Sequence, residues 1–145
     1  ALAQSARTHV RRIMDELDYI GTMAVEFFVT HDGLIANEMA PRVHNSGHWT
    51  IDGAHTSQFE NHMRAVASMA LGPTAARGLC AMVNLVGRAP SAAELLAACP
   101  EAHVHLYGKH ARAGRKLGHV TVVTEDQATL DAALARLEPL CTWAV

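Results

Sequence analysis

The sequence predicts an α+β protein in two parts: an antiparallel sheet with flanking helices over residues 1–72, then a small mixed α/β lobe over residues 73–145. Three observations predict it. A segment with helical periodicity opens the chain, two apolar β-rich runs separated by His31-Asp32-Gly33 follow, and beyond Gly72-Pro73 short β-branched runs alternate with alanine-rich helical ones.

Ala6, Val10, Ile13, Met14 and Leu17 recur at helical spacing, with Arg7, Arg11, Arg12, Asp15 and Glu16 on the other face, so the first element is an amphipathic helix stopped near Gly21. The stretch from Thr22 to Thr30 is rich in β-branched and aromatic residues. Leu34 to Ala40 is a second apolar strand, ended by Pro41, and the two form a hairpin. After a polar loop from Arg42 to His55, Ser57 caps a helix on which Phe59, Met63, Val66 and Ala67 share a face, with Glu60 at the capping-box position. Gly72-Pro73 ends it and marks the boundary. A strand around Leu79–Val86, a helix around Ala92–Ala98, a strand around His103–Tyr107, a basic loop, a strand from Gly118 to Thr124 and a helix from Gln127 to Leu137 complete the reading.

At 145 residues and 50% hydrophobic, the chain can bury a real core. A formal net charge of -2 gives no footprint for nucleic acid or an anionic membrane, so the expected partners are small molecules. Cys80, Cys99 and Cys141 are odd in number, far apart and without a C-x-x-C pair, which argues against a disulfide framework or zinc ribbon and for a reducing cytoplasm. No apolar run is long enough to span a bilayer. The chain lacks a starting Met and opens inside a helical pattern, which suggests a piece of a longer protein.

The chemistry concentrates between Gly21 and Trp49. Glu26 and Glu38 lie on the two hairpin strands, and the turn decides whether they meet. A two-residue Asp32-Gly33 loop sets Glu26 opposite Met39; a three-residue His31-Asp32-Gly33 loop sets it opposite Glu38. Both readings are open at this level. Opposed carboxylates would repel unless one is protonated or a cation bridges them, and magnesium suits such a pair because it takes one or two carboxylates and completes its shell with water and phosphate. Beyond Pro41, Arg42 offers a planar fork for phosphate or bicarbonate, and His44, Asn45 and Ser46 add donors around Gly47. A zinc helix built on His44, His48 and His55 is disfavoured, since Asn45 stands where a metalloprotease needs Glu. A hydrolase built on Ser46 and Asp52 lacks a nucleophile elbow.

Gly21-Thr22-Met23-Ala24-Val25-Glu26, Asn37-Glu38-Met39-Ala40-Pro41-Arg42-Val43-His44-Asn45-Ser46-Gly47-His48-Trp49, Leu106-Tyr107-Gly108-Lys109 and Arg112-Ala113-Gly114-Arg115-Lys116-Leu117-Gly118-His119 closely resemble the ATP-grasp 5-(carboxyamino)imidazole ribonucleotide synthase family of purine biosynthesis. The formylating sister ligases typically carry His-Asp-Thr-Gly where this chain has His44-Asn45-Ser46-Gly47, and His48-Trp49 and Tyr107-Gly108-Lys109 favour the carboxylating family. The resemblance implies the C-terminal half of an ATP-grasp domain followed by a small C-terminal lobe. It implies ATP and magnesium as cofactors, bicarbonate as co-substrate and aminoimidazole ribonucleotide as acceptor. Glu26 and Glu38 match the metal ligands, Asn37 and Glu38 the ATP-contacting pair, and Arg42, His44 and Asn45 the catalytic loop. Lys109, Arg112, Arg115 and Lys116 match the segment that binds the ribonucleotide phosphate. Nothing here resembles the family's N-terminal domains or adenine pocket. The resemblance therefore implies a segment inactive alone and homodimeric when full length. A sister ligase and a noncatalytic assembly module are the alternatives.

Overall fold

The structure, a computed structural model, describes residues 2–141, which form two compact units. The first comprises residues 2–48 with Thr56–Pro73; the second comprises Trp49–His55 and residues 74–141.

In the first unit, helix α1 (Leu2–Glu16) precedes strands β1 (Ala24–Thr30) and β2 (Gly33–Ala40), which pair as an antiparallel hairpin. Its turn is neither of the two that the spacing suggests. Thr30 pairs with Gly33, so His31-Asp32 is the loop, and Gly33 closes it at φ +129, a conformation that glycine reaches without strain. Continued regularly, that register would set Glu26 opposite Asn37. Instead the ladder shifts between Glu26 and Phe27: Phe27 pairs with Ala36, Asn37 is left over, and Glu26 pairs with Glu38. This one-residue bulge brings Glu38 onto the face of Glu26.

A 3-10 turn (Asn45–Gly47) follows, and α3 (Gln58–Val66) closes the unit. Ser57 caps α3 by accepting from the Glu60 N–H at 3.1 Å. The reciprocal half of the capping box is absent, because the Glu60 carboxylate pairs with Arg64 one turn on, at 2.6 Å. Thr22 is tied to α3 twice, its N–H donating to His62 Nδ1 at 3.0 Å and its hydroxyl to the Gln58 carbonyl at 3.1 Å.

The second unit is a three-stranded antiparallel sheet in the order β3 (Leu79–Val86), β5 (Lys116–Thr124), β4 (His103–Leu106), with helices α4 (Ala92–Ala98) and α5 (Gln127–Leu137) and the short α2 (Thr50–Gly53). Here the capping box is complete, at Ser91 and Glu94. Val120 and Val122 of central β5 face α4 and α5, in a core with Val83, Leu85, Leu95, Cys99, Ala133 and Leu137. The opposite face is polar: His119 and Thr121 alternate with those valines and pair with His105 and His103 of β4. The α2 segment packs against β5 and is pinned by the Arg77 N–H donating to the Gly53 carbonyl at 2.8 Å.

Leu85, Leu95 and Leu137 are fully buried, each contributing about 1.5–3 kcal/mol. In the hairpin only Ala40 is buried, while Phe28, Val29 and Ile35 are exposed. A two-stranded ribbon is marginal by itself, so hydrogen exchange on the 145-residue chain should find β5 amides the slowest and β1–β2 amides faster by about two orders of magnitude or more. Equal protection of hairpin and β5 would contradict this distribution of stability.

Candidate functional site

The paired strands and the 3-10 turn assemble a carboxylate–imidazole cluster in the first unit. Glu26 and Glu38 are direct cross-strand partners with side chains 42% and 53% exposed, and the bulged Asn37 points its amide toward Glu26, 3.5 Å from Oε2. His44 reaches both acids: Nδ1 lies 3.9 Å from Glu26 Oε1 and Nε2 lies 3.6 Å from Glu38 Oε1. Its ring is only 12% exposed. The Ser46 N–H donates to Nδ1 at 3.3 Å, which leaves the ring proton on Nε2, the nitrogen nearer Glu38.

Two like-charged carboxylates on opposed residues disfavour the hairpin by themselves. Their ion-pair-range contacts both run to His44, so their oxygens can accept a hard divalent cation as magnesium requires. The donor set fits that ion. Arg42 is exposed, and its guanidinium donates to the carbonyl of the adjacent Val43 at 2.9 Å. Asn45 opens the 3-10 turn, its carbonyl accepting from the His48 N–H at 3.0 Å.

One residue that holds this loop has no role in the sequence reading. Gln58, at the start of α3, accepts from the His44 N–H at 3.0 Å through Oε1 and donates to the His44 carbonyl at 2.7 Å through Nε2, which also stands 2.8 Å from His48 Nδ1. The amide thus brackets the backbone of the residue whose ring meets both acids. In the sequence it is marked by its place next to the Ser57 cap and within Thr56-Ser57-Gln58-Phe59-Glu60, a run that shares the family resemblance but carries no assigned role.

The second unit carries the basic residues. Lys109 and Arg112 lie between β4 and β5, and both are exposed. Arg115 is half-buried, its N–H donating to the Arg112 carbonyl at 3.0 Å and its carbonyl accepting from Gly87 at 2.8 Å; Lys116 opens β5 opposite Val86. Lys109 Nζ sits 5.2 Å from the Tyr107 ring centroid.

The sequence reading also passes over a polar cluster beneath that segment. Asp52 of α2 contacts His105 Nε2 at 2.8 Å and His103 Nδ1 at 3.6 Å, while His119 is 1% exposed and bonds the Tyr107 hydroxyl through Nδ1 at 2.6 Å. Burial pushes the Tyr107 phenol above its ordinary value. Donor atoms of Asp52, His105 and His119 lie within 4.8 Å of one another. Yet the two imidazoles stack with centroids 4.5 Å apart and planes 16° from parallel, so their in-plane lone pairs do not converge on one ion. Hydrogen bonding, not metal ligation, organises this cluster.

Residues 1–59 match the ATP-grasp domain family, and residues 80–133 match the phosphoribosylaminoimidazole carboxylase C-terminal domain. The chain is 53% identical over 135 residues to the N5-carboxyaminoimidazole ribonucleotide synthase of Pseudomonas aeruginosa, covering 93% of this chain and 37% of that protein. The crystal structure of N5-carboxyaminoimidazole ribonucleotide synthetase from Thermus thermophilus matches at a TM-score of 0.89 and 52% identity, covering 99% of this chain and 39% of that one. The Aspergillus clavatus synthase, solved in complex with ADP and 5-aminoimidazole ribonucleotide, matches at a TM-score of 0.68 and 36% identity over 83% of this chain and 34% of its own.

Sequence match and fold together define an ATP-grasp protein. Within that class the chain belongs to the N5-carboxyaminoimidazole ribonucleotide synthase family, to whose C-terminal portion it corresponds. It spans a little over a third of the length of the curated relatives it matches, 37% of one and 36% of another.

Proposed function

We propose that this chain supplies the metal-binding and bicarbonate-facing wall of an ATP-dependent carboxylating ligase, which converts aminoimidazole ribonucleotide, bicarbonate and ATP into 5-(carboxyamino)imidazole ribonucleotide. The observation that carries the reading is the cross-strand pairing of Glu26 with Glu38, with His44 close to both, inside the segment that matches the ATP-grasp domain.

A bicarbonate oxygen attacks the γ-phosphorus of ATP and ADP leaves, giving carboxyphosphate. The exocyclic amine of the ribonucleotide then attacks its carboxyl carbon, phosphate leaves, and the nitrogen loses a proton. Glu26 and Glu38 would hold magnesium, which would supply positive charge to offset that on the transferring phosphoryl group. Asn37 and Glu38 face the nucleotide. His44, fixed by Gln58, orients bicarbonate with Asn45, and Arg42 swings from the Val43 carbonyl to pair with phosphoryl oxygens. In the second unit Lys109, Arg112, Arg115 and Lys116 take the ribonucleotide's phosphate, with Arg giving bidentate bonds and Lys a mobile point charge.

A homodimeric parent enzyme and a cytoplasmic setting belong to the same reading, the latter supported by free thiols at Cys80, Cys99 and Cys141. Among the described residues no helix is long and apolar enough to cross a membrane.

The test compares the 145-residue chain with a full-length protein carrying it, each given ATP, magnesium and bicarbonate with either aminoimidazole ribonucleotide or glycinamide ribonucleotide. Turnover by the full-length protein with aminoimidazole ribonucleotide, and none by the short chain, is expected. Preference for the glycinamide acceptor would assign the segment to a sister ligase, and inactivity of the full-length protein with both would support an assembly module.

A further inference from the structure

We propose that Tyr107 and His119, backed by His105 and Asp52, are positioning residues for Lys109, so that an array built on the buried His119 sets the affinity for the ribonucleotide's phosphate; this rests on the role proposed for Lys109 above. The lysine is exposed and has four rotatable side-chain bonds, so binding an anion with it costs rotamer entropy unless something narrows its range. Its Nζ lies over the Tyr107 ring, and a ring face attracts a cation only from a limited solid angle. The tilt of that ring is therefore the variable that matters.

Two contacts set the tilt. The Tyr107 N–H donates to the Leu117 carbonyl at 2.9 Å, which ties its backbone to β5, and its hydroxyl meets His119 Nδ1 at 2.6 Å with the two rings 54° apart. His119 itself cannot turn freely. It is buried on central β5, its ring stacks on His105, and His105 is anchored by the Asp52 carboxylate, whose side chain is only 12% exposed. The array therefore runs Asp52, His105, His119, Tyr107, Lys109, alternating hydrogen bonds with ring-face contacts. A histidine kept merely to fill space would serve as well with an apolar side chain. This one carries a hydrogen bond to the ring on which the cation rests.

Steady-state kinetics on the full-length enzyme test the proposal. Removing one such hydrogen bond costs about threefold to tenfold in affinity. Tyr107→Phe and His119→Leu should raise KM for aminoimidazole ribonucleotide by about that factor, leaving KM for ATP within about twofold, and His119→Asn, whose amide reaches the position of Nδ1, should recover most of the loss. A double-mutant cycle supplies the readout that a purely structural role would not move: Lys109→Ala should cost less in the Tyr107→Phe background than in the native one. Additive costs, or a lower Tm with unchanged KM for the ribonucleotide, would overturn the proposal. An unchanged KM in Lys109→Ala alone would overturn the phosphate-binding reading and this inference with it. A raised KM in Lys109→Ala with none in Tyr107→Phe would overturn this inference only.

Discussion

Glu38→Gln in the full-length enzyme is expected to lower kcat by about 10²–10³-fold, the cost typical of removing one preorganised electrostatic group from the stabilisation of a transferring phosphoryl group. Gln keeps the size of the side chain and one carbonyl oxygen, so packing changes little. What it loses is the charge that, in the proposed role, would hold the cation together with Glu26. The same substitution should leave the hairpin as stable or stabilise it slightly, because Glu38 stands directly opposite Glu26 and like charges at opposed positions cost about 0.2–1 kcal/mol. Activity and stability therefore move in different directions. Kinetics at varied magnesium, beside a thermal melt, check this: kcat should fall and the apparent KM for magnesium rise while Tm holds or increases. Parallel falls in kcat and Tm would assign the loss to folding and remove Glu38 from the metal site.

The carboxylate pair also marks the limit of what the sequence makes legible. The hairpin, β3 and α5 are readable because their signals are local: apolar runs rich in β-branched and aromatic residues for the strands, and an alanine-rich run for the helix. The bulge at Asn37 is not, since a two-residue turn with a bulge and a three-residue turn without one give the same pairing of Glu26 with Glu38. Sequence offers the outcome but not the route. Glu60 fails as a capping-box partner because Arg64 competes for its carboxylate from the next turn. The Asp52–His105 contact joins residues 53 apart and depends on where α2 packs, which no local pattern encodes. Half of it is nonetheless visible: His103-x-His105 and His119-x-Thr121 are period-2 polar pairs set among Val104, Val120 and Val122, the mark of a polar sheet face.

Gln58→Ala is expected to lower kcat/KM by about 10²-fold, the cost of a displacement near 1 Å in a reacting geometry. The side-chain amide makes both backbone hydrogen bonds to His44 and stands within hydrogen-bond distance of His48, so its removal frees the loop that aims the His44 ring at Glu26 and Glu38. A second substitution reaches the same clamp from the other side. A Cβ on Gly47 would lie 2.5 Å from Gln58 Oε1 and 2.8 Å from its Cδ, and the amide cannot retreat without giving up both bonds to His44. Gly47→Ala should thus resemble Gln58→Ala. Gln58→Glu should do no better, since a carboxylate keeps the acceptor for the His44 N–H but loses the donor to its carbonyl and sets two oxygens against each other. The combination decides whether one clamp is at work. Once Gln58 is cut back to Ala, the Cβ at position 47 has room, so the Gly47→Ala, Gln58→Ala double variant should be no worse than Gln58→Ala alone, measured as kcat/KM for bicarbonate. Multiplicative losses would mean that Gly47 and Gln58 act on the site separately, and that the loop is held by something other than this amide.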